Sequence, residues 1–202
     1  MIEKGKKPII IFTGPSGVGK GTVERLLFDF DELNLSLSCS ATTRSPREGE
    51  LNGIHYHFIT VDEFRHKIKS RKFIEFSYHF SNYYGTLYSE LNKIHAKGKT
   101  PMLEIETKGA IQIIDKVKKQ NSNYNLITIF LAPPSINELK NRITKRGTET
   151  RDIIKARLRK AEEELKESNI FKYKIINDVP ERAAEEIRTI LHKELGINEN
   201  CK

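Results

Sequence analysis

The segment Gly14-Pro15-Ser16-Gly17-Val18-Gly19-Lys20-Gly21-Thr22 constrains this chain more than any other. It follows the apolar run Ile9-Ile10-Ile11-Phe12 and leads into residues 23–28, which read as the start of a helix. A buried strand that ends in a glycine loop and runs into a helix makes an anion cradle. The glycines let backbone N–H groups point inward, and the helix N-terminus adds its partial positive charge. Lys20 can then reach the outer phosphates of a nucleotide, and a nearby hydroxyl can help hold Mg²⁺. The usual pattern has Ser or Thr directly after the lysine; here that slot is Gly21, and the hydroxyl comes one later, at Thr22. A glycine-rich turn can match this spacing by accident, but seldom with a strand before it and a helix after it.

The rest of the chain continues the alternation. Residues 100–105, 125–131 and 173–176 read as further strands, with helical stretches at 109–119 and 180–195. Strand–helix alternation predicts an α/β fold with a mostly parallel sheet and helices on both faces. Two inserts break the pattern. Residues 38–88 are rich in Tyr, Phe, His, Ser and Thr with short alternating runs, as in a small, more antiparallel subdomain. Residues 137–167 are helical and highly charged, and are interrupted at Arg146-Gly147. The predicted division is a core of 1–37, 89–136 and 168–202, an insert of 38–88 and a helical lid of 137–167.

Composition narrows the function classes. Over 202 residues, 37% hydrophobic and 31% charged content describes a soluble globular protein of one compact unit. The longest apolar run near the start falls far short of the roughly 20 residues of a membrane span, and no signal-peptide pattern precedes it. Cys39 and Cys201 are too far apart to suggest metal-ligand spacing and read as reduced thiols in a cytoplasm. The net charge of +8 raises nucleic acid as a partner. The lysines are interleaved with glutamates, however, and phosphate ligands account for the balance equally well. Nucleic acid and membrane are therefore not expected partners, and the oligomeric state stays open.

Residues 40–47, Ser-Ala-Thr-Thr-Arg-Ser-Pro-Arg, carry two arginines three apart beside a proline. Guanidinium forks of this kind can converge on one phosphate, although the segment alone reads equally well as an ordinary basic loop. Together with Gly14–Thr22, Thr42–Glu50, Asn52-Gly53, Phe73-Ile74-Glu75, Asn82–Thr86 and Arg146–Thr150, it stands in the order and spacing of the guanylate kinase family, which the chain resembles over about residues 8–195.

The resemblance implies a P-loop NTPase core, ATP as co-substrate with Mg²⁺, and GMP as the phosphoryl acceptor. It implies that Gly14, Pro15, Ser16, Gly17, Val18, Gly19, Lys20, Gly21 and Thr22 hold ATP, with Thr22 toward the metal and Asn177 near the adenine. Arg44, Arg47, Tyr56 and Tyr84 would hold the GMP phosphate, beside Gly85. Ser40, Glu75 and Thr86 would read the guanine. Glu106 would also meet the base, in a slot more often aspartate, followed by Lys108 where glutamine is usual. Arg142, Arg146 and Arg157 would close over the transferring phosphate with Lys20.

Residue chemistry fits these roles. Guanine N1–H and its N2 amino group are neighbouring donors, so one carboxylate accepts both, whereas adenine offers no such pair. Strand alternation sends Glu104 and Glu106 to one face at a strand's C-terminal end, where open α/β sheets bind ligands. In residues 136–146, Ile136, Leu139 and Ile143 form an apolar face that Arg146 shares and Arg142 borders; Arg157 borders the stripe of the next helix. Arginines at such edges also serve simply to cover a core. Two other readings compete. Gly-Lys-Gly-Thr is also similar to adenylate kinases, and guanylate-kinase-like modules in scaffold proteins bind phosphorylated partners without catalysis. Glu75 argues against the first, and the intact Lys20 loop against the second.

Overall fold

The computed structural model describes residues 5–79, 81–120, 122–145 and 151–197. In chain order its elements are β1 (Lys7–Thr13), α1 (Lys20–Phe28), β2 (Leu35–Leu37), β3 (Ala41–Thr42), β4 (His57–Phe58), α2 (Val61–Lys69), β5 (Phe73–His79) and β6 (Asn82–Leu87). Then come α3 (Tyr88–Ala96), β7 (Thr100–Glu104), α4 (Thr107–Lys119), β8 (Tyr124–Ala132), α5 (Ile136–Lys145), α6 (Arg151–Lys166), β9 (Tyr173–Ile176) and α7 (Pro180–Leu195).

Five strands form one parallel sheet in the order β2-β7-β1-β8-β9. The apolar run read from the sequence is therefore the central strand, buried on both faces. Its alternation divides the core in two. Ile10 and Phe12 pack with Val23 and Leu27 of α1 and Ile187 and Leu191 of α7. Ile9 and Ile11 pack with Ala110, Ile113 and Ile114 of α4 and Leu91 of α3 on the opposite face. Each large side chain buried this way contributes ~1.5–3 kcal/mol. The sequence reading found four of the five strands. It missed β2, whose three residues are too few to show a period.

The second sheet, β4-β3-β6-β5, is mixed: β3 runs parallel to β4, and β6 is antiparallel to both β3 and β5. It has a small core of its own, where Phe64 of α2 stacks on Phe73 at 4.3 Å and on Tyr83 at 5.2 Å. Helix α4 joins this sheet to the main one. Gln112 accepts from the Phe76 amide at 3.3 Å and donates to the Phe76 carbonyl at 2.9 Å. One turn on, Lys116 Nζ donates to the Ile74 carbonyl at 2.6 Å, beside the register shift between Phe73 and Glu75. Residue 75 is thus held at a fixed place between the two sheets. Helices α5 and α6 add Leu139, Ile143 and Ala161 to the main core, the first two from the apolar face read from the sequence.

Candidate active site

The loop after β1 carries the first half of the site. Gly19 caps α1 at φ +100°, and a Cβ there would stand 2.7 Å from Asn177 Nδ2, so both conformation and space require glycine. Lys20 folds back over the loop, its Nζ donating to the Gly14 carbonyl at 2.7 Å. A cavity of about 460 Å³ is lined by Ser16, Gly17, Gly19, Lys20, Gly21, Thr22, Arg25 and Glu104. Burial lowers the Lys20 pKa, while the carboxylates of Glu104, Glu164 and Glu106 oppose that shift. An anion bound beside it would oppose the shift further and keep the ammonium charged.

A second cavity of about 380 Å³ is also bordered by Lys20. Of the residues expected to hold the acceptor, Ser40, Arg44, Arg47, Tyr56, Glu75, Tyr84, Gly85 and Glu106 all line it. Arg44 is fixed by a two-pronged pair with Glu50, Nη1 to Oε2 at 2.7 Å and Nη2 to Oε1 at 2.8 Å, and its guanidinium lies 5.3 Å from the Tyr56 ring centre. The Arg47 amide donates to the same Glu50 at 2.7 Å. Hydrogen bonds from Arg44 and from that amide hold the Glu50 carboxyl down at about 2. Tyr56 and Tyr84 meet edge to face at 6.2 Å.

Glu75 lies at the far end. It is only 4% exposed, and its Oε1 accepts from the Thr86 hydroxyl at 2.7 Å. Thr86 is fully buried and supports Glu75 from behind. Burial pushes the Glu75 carboxyl up to about 7, against the lowering effect of the Thr86 hydrogen bonds. A carboxyl that burial makes costly to ionise and that borders a cavity is a candidate ligand-binding group.

Other expected residues sit differently. Strand β7 ends at Glu104, so Glu106 caps α4 instead of continuing the strand. Asn177 is buried beneath the phosphate loop, and its Nδ2 donates to the Val18 carbonyl at 2.8 Å. Arg142 Nη1 donates to the carbonyls of Val18, at 3.2 Å, and of Asn177, at 3.0 Å, so it braces the same loop. Arg157 is half-buried on α6 and is not among the residues lining either cavity. Arg146 and the rest of residues 146–150 lie outside the described residues, as does Cys201.

Sequence reading also missed participants. Ser77 and His79 line the acceptor cavity with Glu75, and the period of two along β5 was the signal for them. Lys160 and Glu164 project from α6 into the same cavity one turn apart. Burial pushes Glu164 up to about 7, and burial with the Glu104 charge does the same for Glu24.

Comparisons with known proteins agree with this geometry. A family model for guanylate kinase matches residues 5–194. A guanylate kinase of Mycoplasmopsis synoviae (strain 53) is 65% identical over 198 residues, covering 98% of this chain and all of that one. One from Bacillus cereus (strain ZK / E33L) is 44% identical over 96% of this chain and 89% of its own. The crystal structure of guanylate kinase from Anaplasma phagocytophilum superposes with a TM-score of 0.72 at 28% identity, over 97% of this chain and 89% of that one.

Proposed function

The chain belongs to the guanylate kinase family and transfers a phosphoryl group from ATP to GMP, and on that premise we propose which residues hold each nucleotide and how the group crosses. One observation carries the proposal: Ser16, Lys20 and Glu104 line both cavities, so the two ligands meet at Lys20. The loop cavity takes the ATP phosphates on Gly14–Thr22. The second cavity takes GMP, its phosphate on Arg44, Arg47, Tyr56 and Tyr84 and its base on Glu75, with Ser40 and Thr86 beside it.

Guanine suits Glu75 because its paired donors satisfy a carboxylate that burial otherwise leaves costly to ionise. A GMP phosphate oxygen then attacks the γ-phosphorus of ATP in line, and the bond to the ADP bridging oxygen breaks. No side chain need act as nucleophile. Lys20 neutralises charge as it redistributes, Arg142 holds the phosphate loop from beneath through the Val18 carbonyl, and closure of the lid would bring Arg146 and Arg157 to the phosphates and exclude the water that would otherwise compete. The division into core, insert and lid is part of this proposal.

Mg²⁺ belongs to it as well. The Thr22 hydroxyl and the Glu104 carboxylate face the loop cavity and are the hard oxygen donors that this ion takes, alongside substrate phosphates rather than in an all-protein cage. Held there, the ion would supply charge neutralisation for the phosphates. A cytoplasmic location completes the reading; the free thiol of Cys39 and the absence, among the described residues, of any helix able to cross a membrane support it. The test is Lys20→Ala. It should fold and lose roughly 10³-fold or more in turnover, measured as ADP produced with ATP and GMP. A folded variant with near-native turnover would remove Lys20 from the transfer.

A further inference from the structure

Helix α4 grips β5 on both sides of Glu75. Gly109, Gln112 and Lys116 stand three and four residues apart, so they share one face of the helix. A Cβ on Gly109 would stand 2.6 Å from Glu75 Oε2, so the helix backbone backs directly onto the carboxylate. Gln112 holds residue 76 by both backbone groups, accepting from its amide at 3.3 Å and donating to its carbonyl at 2.9 Å. On the other side, Lys116 Nζ donates to the carbonyls of Ile74, at 2.6 Å, and Phe73, at 3.2 Å. The register of β5 on β6 shifts at this point, between Phe73 and Glu75, and such irregular steps interrupt the strand ladder. The same ammonium lies 5.7 Å from the Tyr88 ring centre.

We propose that Lys116 is a positioning residue for recognition of the acceptor base: it pins the backbone beside Glu75 and brings a positive charge to the carboxylate that accepts the base's donors. The inference rests on the assignment of the second cavity to GMP. Lys116 is half-buried and is not among the residues lining either cavity, so it acts through Glu75 and not on a nucleotide. Its hold matters because the strand ladder is irregular where residue 75 sits. Thr86 fixes the end of the side chain, and Lys116 and Gln112 fix the backbone that carries it. The charge matters because burial makes the Glu75 carboxyl costly to ionise. Lys116 lowers the pKa of that carboxyl, whereas Glu106, whose Oε1 accepts from Lys160 Nζ at 2.7 Å, raises it. The attraction is mutual: burial lowers the pKa of Lys116 itself, and Glu75 opposes that shift. A neutral donor could satisfy the two carbonyls, but only a cation does both tasks.

The experiment compares Lys116→Met, Lys116→Gln and Lys116→Arg with the wild type on the full chain, between about pH 5 and 9. Acceptors are GMP and IMP, which lacks the N2 amino group. Lys116→Met keeps the apolar stem and removes the donors and the charge. It should stay folded, keep its KM for ATP and lose roughly three- to tenfold in kcat/KM for GMP at neutral pH. IMP has one donor fewer to lose, so the GMP/IMP ratio should fall by roughly threefold. The pH below which GMP binding weakens should move upward, because Glu75 loses a neighbouring cation. Lys116→Gln should move that midpoint in the same direction, and Lys116→Arg should restore most of the ratio and of the midpoint. A lysine that served stability alone would change the melting temperature and leave both in place. A wild type indifferent to the N2 amino group would overturn the assignment of the base to Glu75, and the proposal with it. A wild type that prefers GMP, beside a Lys116→Met or Lys116→Gln variant with unchanged ratio and midpoint, would overturn the role of Lys116 alone.

Discussion

Gly109→Ala turns the position of Glu75 into a measurable quantity. Gly109 lies in the first turn of α4, and a Cβ built there would stand 2.6 Å from Glu75 Oε2 and 3.3 Å from its Cδ. An ordinary contact needs about 3.4 Å or more, so the carboxylate must retreat by roughly 0.8 Å. Gly109 has helical backbone and alanine is the better helix former by about 1 kcal/mol, which offsets part of the ~1–3 kcal/mol that an overpacked contact costs. Glu75 has little freedom to compensate, since Thr86 fixes Oε1 and the side chain is buried. Misplacement of a recognition group by about 1 Å can cost roughly 10²-fold. The variant should therefore stay folded with a melting temperature at or modestly below the wild-type value, keep its KM for ATP, and lose roughly tenfold to a hundredfold in kcat/KM for GMP. Thermal unfolding and steady-state kinetics with each nucleotide varied in turn measure all three. A stable variant with native GMP kinetics would refute the claim that guanine is read at the Glu75 carboxylate.

Glu50 should matter without touching a nucleotide. Glu50→Gln breaks the two-pronged hold on Arg44, and KM for GMP should rise roughly three- to tenfold with ATP binding unchanged; a native KM would show that Arg44 needs no such support. Acid should weaken GMP binding through Glu75. Its folded value, about 7, lies above the ordinary 4.5, so its contribution to stability is fully present below about 4.5 and is lost as pH rises through about 7. Guanine's donors need the ionised form, so GMP affinity should instead fall by up to about tenfold per unit as pH drops below about 7. Calorimetric titration from pH 5 to 8 reads this, and the same series on Glu75→Gln corrects for the ligand's own phosphate. Identical profiles in the two proteins would rule out Glu75 as the titrating group.

Legibility in the sequence followed the length of the physical signal. Strand β9 and helix α7 match their expected bounds, because Pro180 opens the helix and Gly196 closes it with a left-handed backbone at φ +69°. The phosphate loop was equally plain, since an apolar central strand, four glycines and a lysine all say the same thing. Helix α2 was absorbed into the insert although Thr60 and Glu63 form a capping box at its start. The acceptor residues come from loops, from β5 and from the middle of β6, and only the family resemblance gathered them. Lys160 and Glu50 were given no role for a different reason. Their partners are 54 and 6 residues away in sequence, and no local period announces such a meeting. Asn177 and Arg142 had visible positions, but only the packed structure brings both against the Val18 carbonyl.

The most direct test of the account compares kcat/KM for GMP and AMP in the wild type and in Glu75→Gln, with ATP affinity measured alongside. Sites that pair buried polar groups with a substrate's donors can discriminate by roughly 10⁴–10⁵. The wild type should show a preference of that order for GMP. Glu75→Gln should lose most of its GMP activity, because the amide has one acceptor and sets donors against donors, while Lys20 and the phosphate loop still bind ATP. The GMP/AMP ratio should then fall by at least about 10²-fold. Equal ratios in the two proteins would contradict the claim that Glu75 reads the base.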